Sequence, residues 1–158
     1  MPVDRRLSRE ELAERVAVLK RFRELLSRQR DKFRNYLELL DRQRTDIETG
    51  DVDALVAHVE VEQGIVAEIF AVQKVIDPLE DMYRAAYAGA EPEGVPELRT
   101  TLVELRDEVA ARNAENRALL HQRMDMLRHE IMSVNNPYAK RRSVYAGQPE
   151  PRSLDITG

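Results

Sequence analysis

The chain of 158 residues predicts an all-α fold: an elongated antiparallel three-helix bundle, coiled-coil-like, followed by a disordered C-terminal tail. Three observations predict it. Charged residues make up 34% and aromatics only 5%, with no tryptophan, a composition suited to helices with narrow apolar stripes. Leu12, Leu19, Leu26, Phe33, Leu40 and Ile47 recur at seven-residue intervals. Glycine and proline gather at only a few places, which divide the chain into three long segments and a tail. The length suits one core, so the bundle is expected over residues 1–134, with helices at about 8–49, 52–87 and 96–134, and a partner-binding tail over 135–158.

The first helix opens on Ser8 with Glu11 three residues later, the pattern in which each side chain caps the other's backbone N–H. Its heptad stripe is widened by Val16, Phe22, Leu25, Tyr36, Leu37 and Leu39. Arg23, Arg30 and Arg44 stand where a strict two-stranded zipper places leucine, and their aliphatic stems suit the edges of a seam. At Glu48-Thr49-Gly50-Asp51, glycine suits a left-handed helix end and aspartate suits the next N-cap. So short a turn makes the two helices antiparallel neighbours.

The second helix carries Val52, Leu55, Val56 and Val59, then Val66, Ile69, Phe70 and Ile76, a broader stripe than the first. Leu79, Met82, Tyr83 and Ala86 resume helical spacing after Pro78, which predicts a kink there and not a stop. Ala88 to Pro96 holds two glycines and two prolines and reads as an exposed loop. Pro96 and Glu97 suit the first turn of the third helix. That helix uses Leu98, Leu102, Leu105 and Val109, then Leu120, Met124, Leu127, Ile131 and Val134. The stripe drifts between the two halves, so they face different partners. Between them Asn116 reads as solvated, the alternative being a buried group that sets helix register.

Charge is unevenly spread. Arg5 to Arg44 holds thirteen basic against seven acidic residues, and Gly50 to Glu91 two basic against nine acidic. Neighbouring segments of opposite sign are expected to pack against each other, and like segments to avoid self-pairing.

Enzyme chemistry is not expected. No glycine-rich phosphate loop, nucleophile elbow or paired carboxylates occur, and there are no cysteines. His121, Asp125 and His129 share a helix face, but the outer two are about 12 Å apart along the axis, too far to share one metal ion. No cofactor and no metal are therefore expected. The basic first helix mixes its arginines with acidic residues and has no stacking aromatics, so nucleic acid is not an expected partner. No run of about 18 apolar residues occurs, and the N-terminus lacks an apolar core of the signal-peptide type. A cytoplasmic protein without membrane insertion is expected.

Two regions are candidates for binding. Met124, Met126 and Met132, with Leu119, Leu120, Leu127 and Ile131, form an adaptable apolar end to the third helix, where bundle core is the plainer reading. The tail sets Tyr138, Tyr145, Leu154 and Ile156 among Lys140, Arg141, Arg142 and Arg152, anchor-type residues that the bundle core does not need.

The succession of a long heptad helix, Glu48-Thr-Gly-Asp51-Val-Asp-Ala-Leu55, an acidic helix with Glu60 and Glu62, Asp77-Pro-Leu-Glu-Asp-Met82 and Glu115-Asn-Arg-x-Leu-Leu120 before the tail resembles the FlgN family of flagellar export chaperones. The closing Ser153-Leu-Asp-Ile156 is similar to the end of some members. The resemblance implies a cytoplasmic, non-catalytic type III export chaperone that binds hook-associated (hook-filament junction) proteins and delivers them to the flagellar export gate. It implies that Leu119, Leu120, Met124, Leu127 and Ile131 face the substrate, and that Tyr138 or Tyr145 serves at the gate. The rival reading is a coiled-coil scaffold or stalk component that self-associates through its heptads. The oligomeric state stays open.

Overall fold

The computed structural model describes residues 6–89 and 91–135. The expected tail over 135–158 lies outside the described residues except for Asn135, as do Tyr138, Tyr145, Leu154 and Ile156. Three helices are present, α1 (Arg9–Thr49), α2 (Val52–Ala86) and α3 (Val95–Asn135), and no strand occurs among the described residues. The all-α fold is thus observed. The chain divides into two units, Met1–Leu119 and Leu120–Gly158, each described separately below.

Both helix-end devices of α1 form as its sequence demands. The Ser8 hydroxyl accepts from the Glu11 N–H at 3.1 Å and the Glu11 carboxylate accepts from the Ser8 N–H at 3.0 Å. At the other end Gly50 adopts φ 75°, ψ 25°, a left-handed conformation open to glycine at little steric cost, and its N–H reaches the Asp46 and Ile47 carbonyls. Asp51 then caps α2 by accepting from the Ala54 N–H at 3.0 Å. Chain reversal at this point sets α2 antiparallel to α1, because residue pairs such as Tyr36 with Glu62 and Gln29 with Gln73 face each other. α2 runs unbroken through Pro78. α3 begins at Val95, one residue before the expected Pro96.

In the first unit one core joins all three helices. Phe22, Leu25 and Leu26 of α1 meet Ile76 and Tyr83 of α2 and Val95 at the start of α3, with Leu98 and Leu102 packed alongside. Phe22 stacks on Tyr83 with ring centroids 4.5 Å apart, and the Arg99 guanidinium lies over both rings at 5.4 and 5.9 Å. Towards the α1–α2 turn, Tyr36, Leu39, Leu40 and Ile47 are buried as well. Full burial of one such aliphatic side chain stabilises by about 1.5–3 kcal/mol, so these contacts dominate the fold.

The helices are not equivalent in how they pack. Beyond the core at its start, α3 is tied to α1 by polar side chains. Arg112 pairs with Asp41, Arg44 approaches Glu115 at 4.0 Å, and Arg23 donates to the Glu93 carbonyl. Asn116 is 4% exposed, and donates to the Leu40 carbonyl at 2.9 Å and to Gln43 Oε1 at 3.1 Å. This corrects the solvated reading of Asn116: its carboxamide is covered where α3 meets α1, and at that depth it bonds to groups of α1 in place of water.

The heptad seam is also only partly used. Leu26, Leu40 and Ile47 are buried and Leu19 and Phe33 half-buried, but Leu12 is 54% and Val16 57% exposed. The reason is length. In the antiparallel hairpin Phe22 already faces Tyr83, and α2 ends at Ala86, so the first turns of α1 run past the end of their partner. The Tyr87 hydroxyl still ties this end by donating to the Arg15 carbonyl at 3.0 Å.

Candidate functional site

The second unit, taken alone, carries the apolar residues of α3 that the sequence offers as a binding face. From Leu120 to Val134 the chain is helical and every residue is exposed. Leu120 (38%), Met124, Leu127, Ile131 and Val134 (73%) lie within about 80° of one another around the helix at 3.6 residues per turn. They make one apolar stripe about 21 Å long. Among the described residues every member of the stripe is exposed. Met126 and Met132, at 50% and 70% exposure, add unbranched, polarisable side chains on either flank.

The polar groups beside the stripe are balanced in sign. Arg123 and Arg128 accompany Asp125 and Glu130 on the same stretch. His121 lies 3.7 Å from Asp125 one turn on, both well exposed, and among the described residues no three His, Cys, Asp or Glu side chains are grouped as a metal site would need. The stretch offers an adaptable apolar strip with mixed charged edges.

Of the sequence-predicted residues, Leu120, Met124, Leu127 and Ile131 are brought together on this face. Leu119 is half-buried in the first unit and sits about 100° away from Leu120 around the helix, so it does not belong to the stripe. Tyr138, Tyr145, Leu154 and Ile156 lie outside the described residues.

In the first unit, polar groups largely satisfy one another. Between α1 and α3 a cavity of about 400 Å³ is lined by Asp41, Arg44, Glu108, Arg112 and Glu115, and its guanidiniums pair with its carboxylates. Hydrogen bonding to Asp41 pushes the Arg112 guanidinium further up from its ordinary range. Lys32 pairs with Glu68 across α1 and α2, and His58 with Asp46 beside the turn. The opposite charges of the first two segments thus do meet. The Tyr36 hydroxyl donates to Glu62 at 2.6 Å, and burial, followed by that bond, pushes its phenol well above the ordinary tyrosine value.

Sequence reasoning missed a second surface. Val52, Val56, Val59 and Phe70, read as part of the inward stripe of α2, are 66%, 65%, 48% and 63% exposed. The signal was present: between Val52 and Val75 α2 carries apolar residues around its whole circumference, and one neighbour covers only one side.

No protein-family model matches the chain, and no solved structure matches it. It is 37% identical over 126 residues to an uncharacterized protein of Treponema pallidum (strain Nichols), a match covering 80% of each chain. A likeness of that extent makes this chain a member of the same family as that Treponema pallidum protein.

Proposed function

We propose that the protein is a non-catalytic helical export chaperone of the FlgN type, which binds hook-filament junction proteins in the cytoplasm and delivers them to the flagellar export gate. The observation that carries this reading is the run Leu120–Val134, a helix with an apolar stripe and no buried residue. A stripe of this kind is costly to leave in water and fits the apolar face of a cargo helix. The order of motifs along the chain supports the same reading; no family model adds to it.

In this mechanism an amphipathic terminal helix of the cargo lies along Leu120, Met124, Leu127 and Ile131. Methionine side chains adjust to more than one cargo because they have three freely rotating bonds and no branching. The C-terminal segment closes over the bound helix, with Tyr138 or Tyr145 left for the gate. Ordering that segment costs free energy, which holds affinity to a moderate level and permits release without nucleotide.

The test is titration of purified hook-filament junction proteins into the full-length chain. Met124→Ser with Leu127→Ser should weaken binding at least about tenfold, as truncation of central anchors does, while the far-ultraviolet spectrum stays helical. Junction proteins that do not bind at all would sink the chaperone reading. Self-association abolished by the same substitutions, without cargo binding, would favour the scaffold.

A further inference from the structure

We propose that the outward face of α2 is a second docking surface, and that its occupant is a basic amphipathic helix of a partner protein. Val52, Val56, Val59 and Phe70 project within about 60° of one another around α2, at 3.6 residues per turn, along about 27 Å of its length. That length matches a partner helix of about 18 residues. Phe70, 63% exposed and the largest exposed apolar side chain among the described residues, is the natural anchor.

The charge around this ridge selects the partner. α2 carries seven acidic residues against two basic ones. Glu62 and Glu68 are engaged with Tyr36 and Lys32 of α1, but Asp53, Glu60 and Asp81 make no ion pair or side-chain hydrogen bond to a basic group among the described residues. Asp53 and Glu60 lie along one edge of the ridge, and Asp77 and Asp81 continue it beyond Phe70; Lys74, one turn from Phe70, is the one lysine or arginine from Val52 to Asp81, so the face keeps an acidic excess. A helix with an apolar stripe edged by lysine or arginine meets both features at once.

The same charges argue against a second copy. Two α2 faces packed together would each bring four carboxylates, Asp53, Glu60, Asp77 and Asp81, against the single Lys74, so the net charge of each copy repels the other. The exposed end of α3 is apolar but carries Arg123 and Arg128 beside Asp125 and Glu130, so it has no positive excess to offer. The outer face of α1 is basic, but beyond Val16 its exposed positions are polar, such as Arg28, Asp31, Arg34 and Glu38. None of the three supplies both an apolar stripe and a positive rim.

This surface belongs to the first unit and the α3 stripe to the second, so substitutions at one leave the residues of the other intact and the two sites fail independently. The probe is a fluorescent synthetic 18-residue amphipathic helix with leucines at i, i+3, i+4 and i+7 and lysines along the edges, titrated against the full-length chain by anisotropy. The lysine peptide should bind, and a twin with glutamate replacing lysine should bind at least about tenfold more weakly. Val56→Ser with Phe70→Ser should weaken the lysine peptide about tenfold or more, with helical content unchanged. Met124→Ser with Leu127→Ser should leave it unaffected.

Equal binding of the two peptides, or binding that survives Val56→Ser with Phe70→Ser, overturns the proposal. So does sedimentation showing a dimer that Phe70→Ser dissolves, which assigns the face to a second copy. A full-length chain with Lys140→Glu, Arg141→Glu and Arg142→Glu that binds the lysine peptide when the native chain does not assigns the face to the chain's own C-terminal segment, and also overturns it.

Discussion

The carboxamide of Asn116 on α3 donates to the backbone carbonyl of Leu40 on α1 at 2.9 Å, in a position 4% exposed to solvent. It is the most buried polar link between these helices, and the second bond to Gln43 fixes its orientation. A buried polar group with fixed partners on α1 sets where along α1 the third helix rests. Asn116→Ala should lower stability by about 1–3 kcal/mol, the cost of leaving buried groups unpaired. A shift in the urea midpoint with an unchanged slope would bear this out; an unchanged midpoint would mean that the link contributes nothing net.

Tyr36 makes the fold sensitive to alkali. Its phenol is pushed up by burial and by donating to Glu62, so the folded state holds a proton that the unfolded chain releases near pH 10. For a group raised on folding, the stabilisation is full below the unfolded value and is lost as pH rises above it. Stability should hold to about pH 10 and fall beyond it, with a further part of the loss from Tyr83, whose phenol burial also raises. Tyr36→Phe should cost about 1.5–3 kcal/mol at neutral pH, since the lost bond is to a carboxylate. It should also make the alkaline fall shallower. Thermal melts between neutrality and pH 11 separate the two effects.

Two leucines of the same heptad series should respond oppositely to substitution. Leu26 is 5% exposed within the three-helix core, whereas Leu12 is 54% exposed beyond the end of α2. Leu26→Ala should cost about 2–5 kcal/mol. Leu12→Ala should stay within about 0.5 kcal/mol. Equal losses in denaturant unfolding would show that something covers the start of α1 in solution.

Much of this architecture was legible in the residues alone. Ser8 with Glu11, Gly50 with Asp51, and the breakers between Ala88 and Pro96 act through backbone groups close in sequence, and they place the helix ends to within a residue or so. The stripe from Leu120 to Ile131 was legible as a face, because helical spacing alone puts its members together. Whether a face is covered is another matter, since it depends on how far a distant segment extends. Leu12 and Leu26 carry the same pattern, and only the end of α2 at Ala86 separates them.

The amino-acid sequence by itself determined three helices, their ends, the antiparallel hairpin and the sign of charge on each segment, all consequences of local hydrogen bonding and periodicity. Only the tertiary structure decided that Asn116 is buried, that Val52, Val56, Val59 and Phe70 face outward, and that the stripe after Leu119 lies exposed. These are outcomes of unequal helix lengths and of which residues stand opposite one another across the helices. Burial is a property of what stands opposite a residue, and a helix that is apolar all round leaves exposed whatever face its neighbours do not reach.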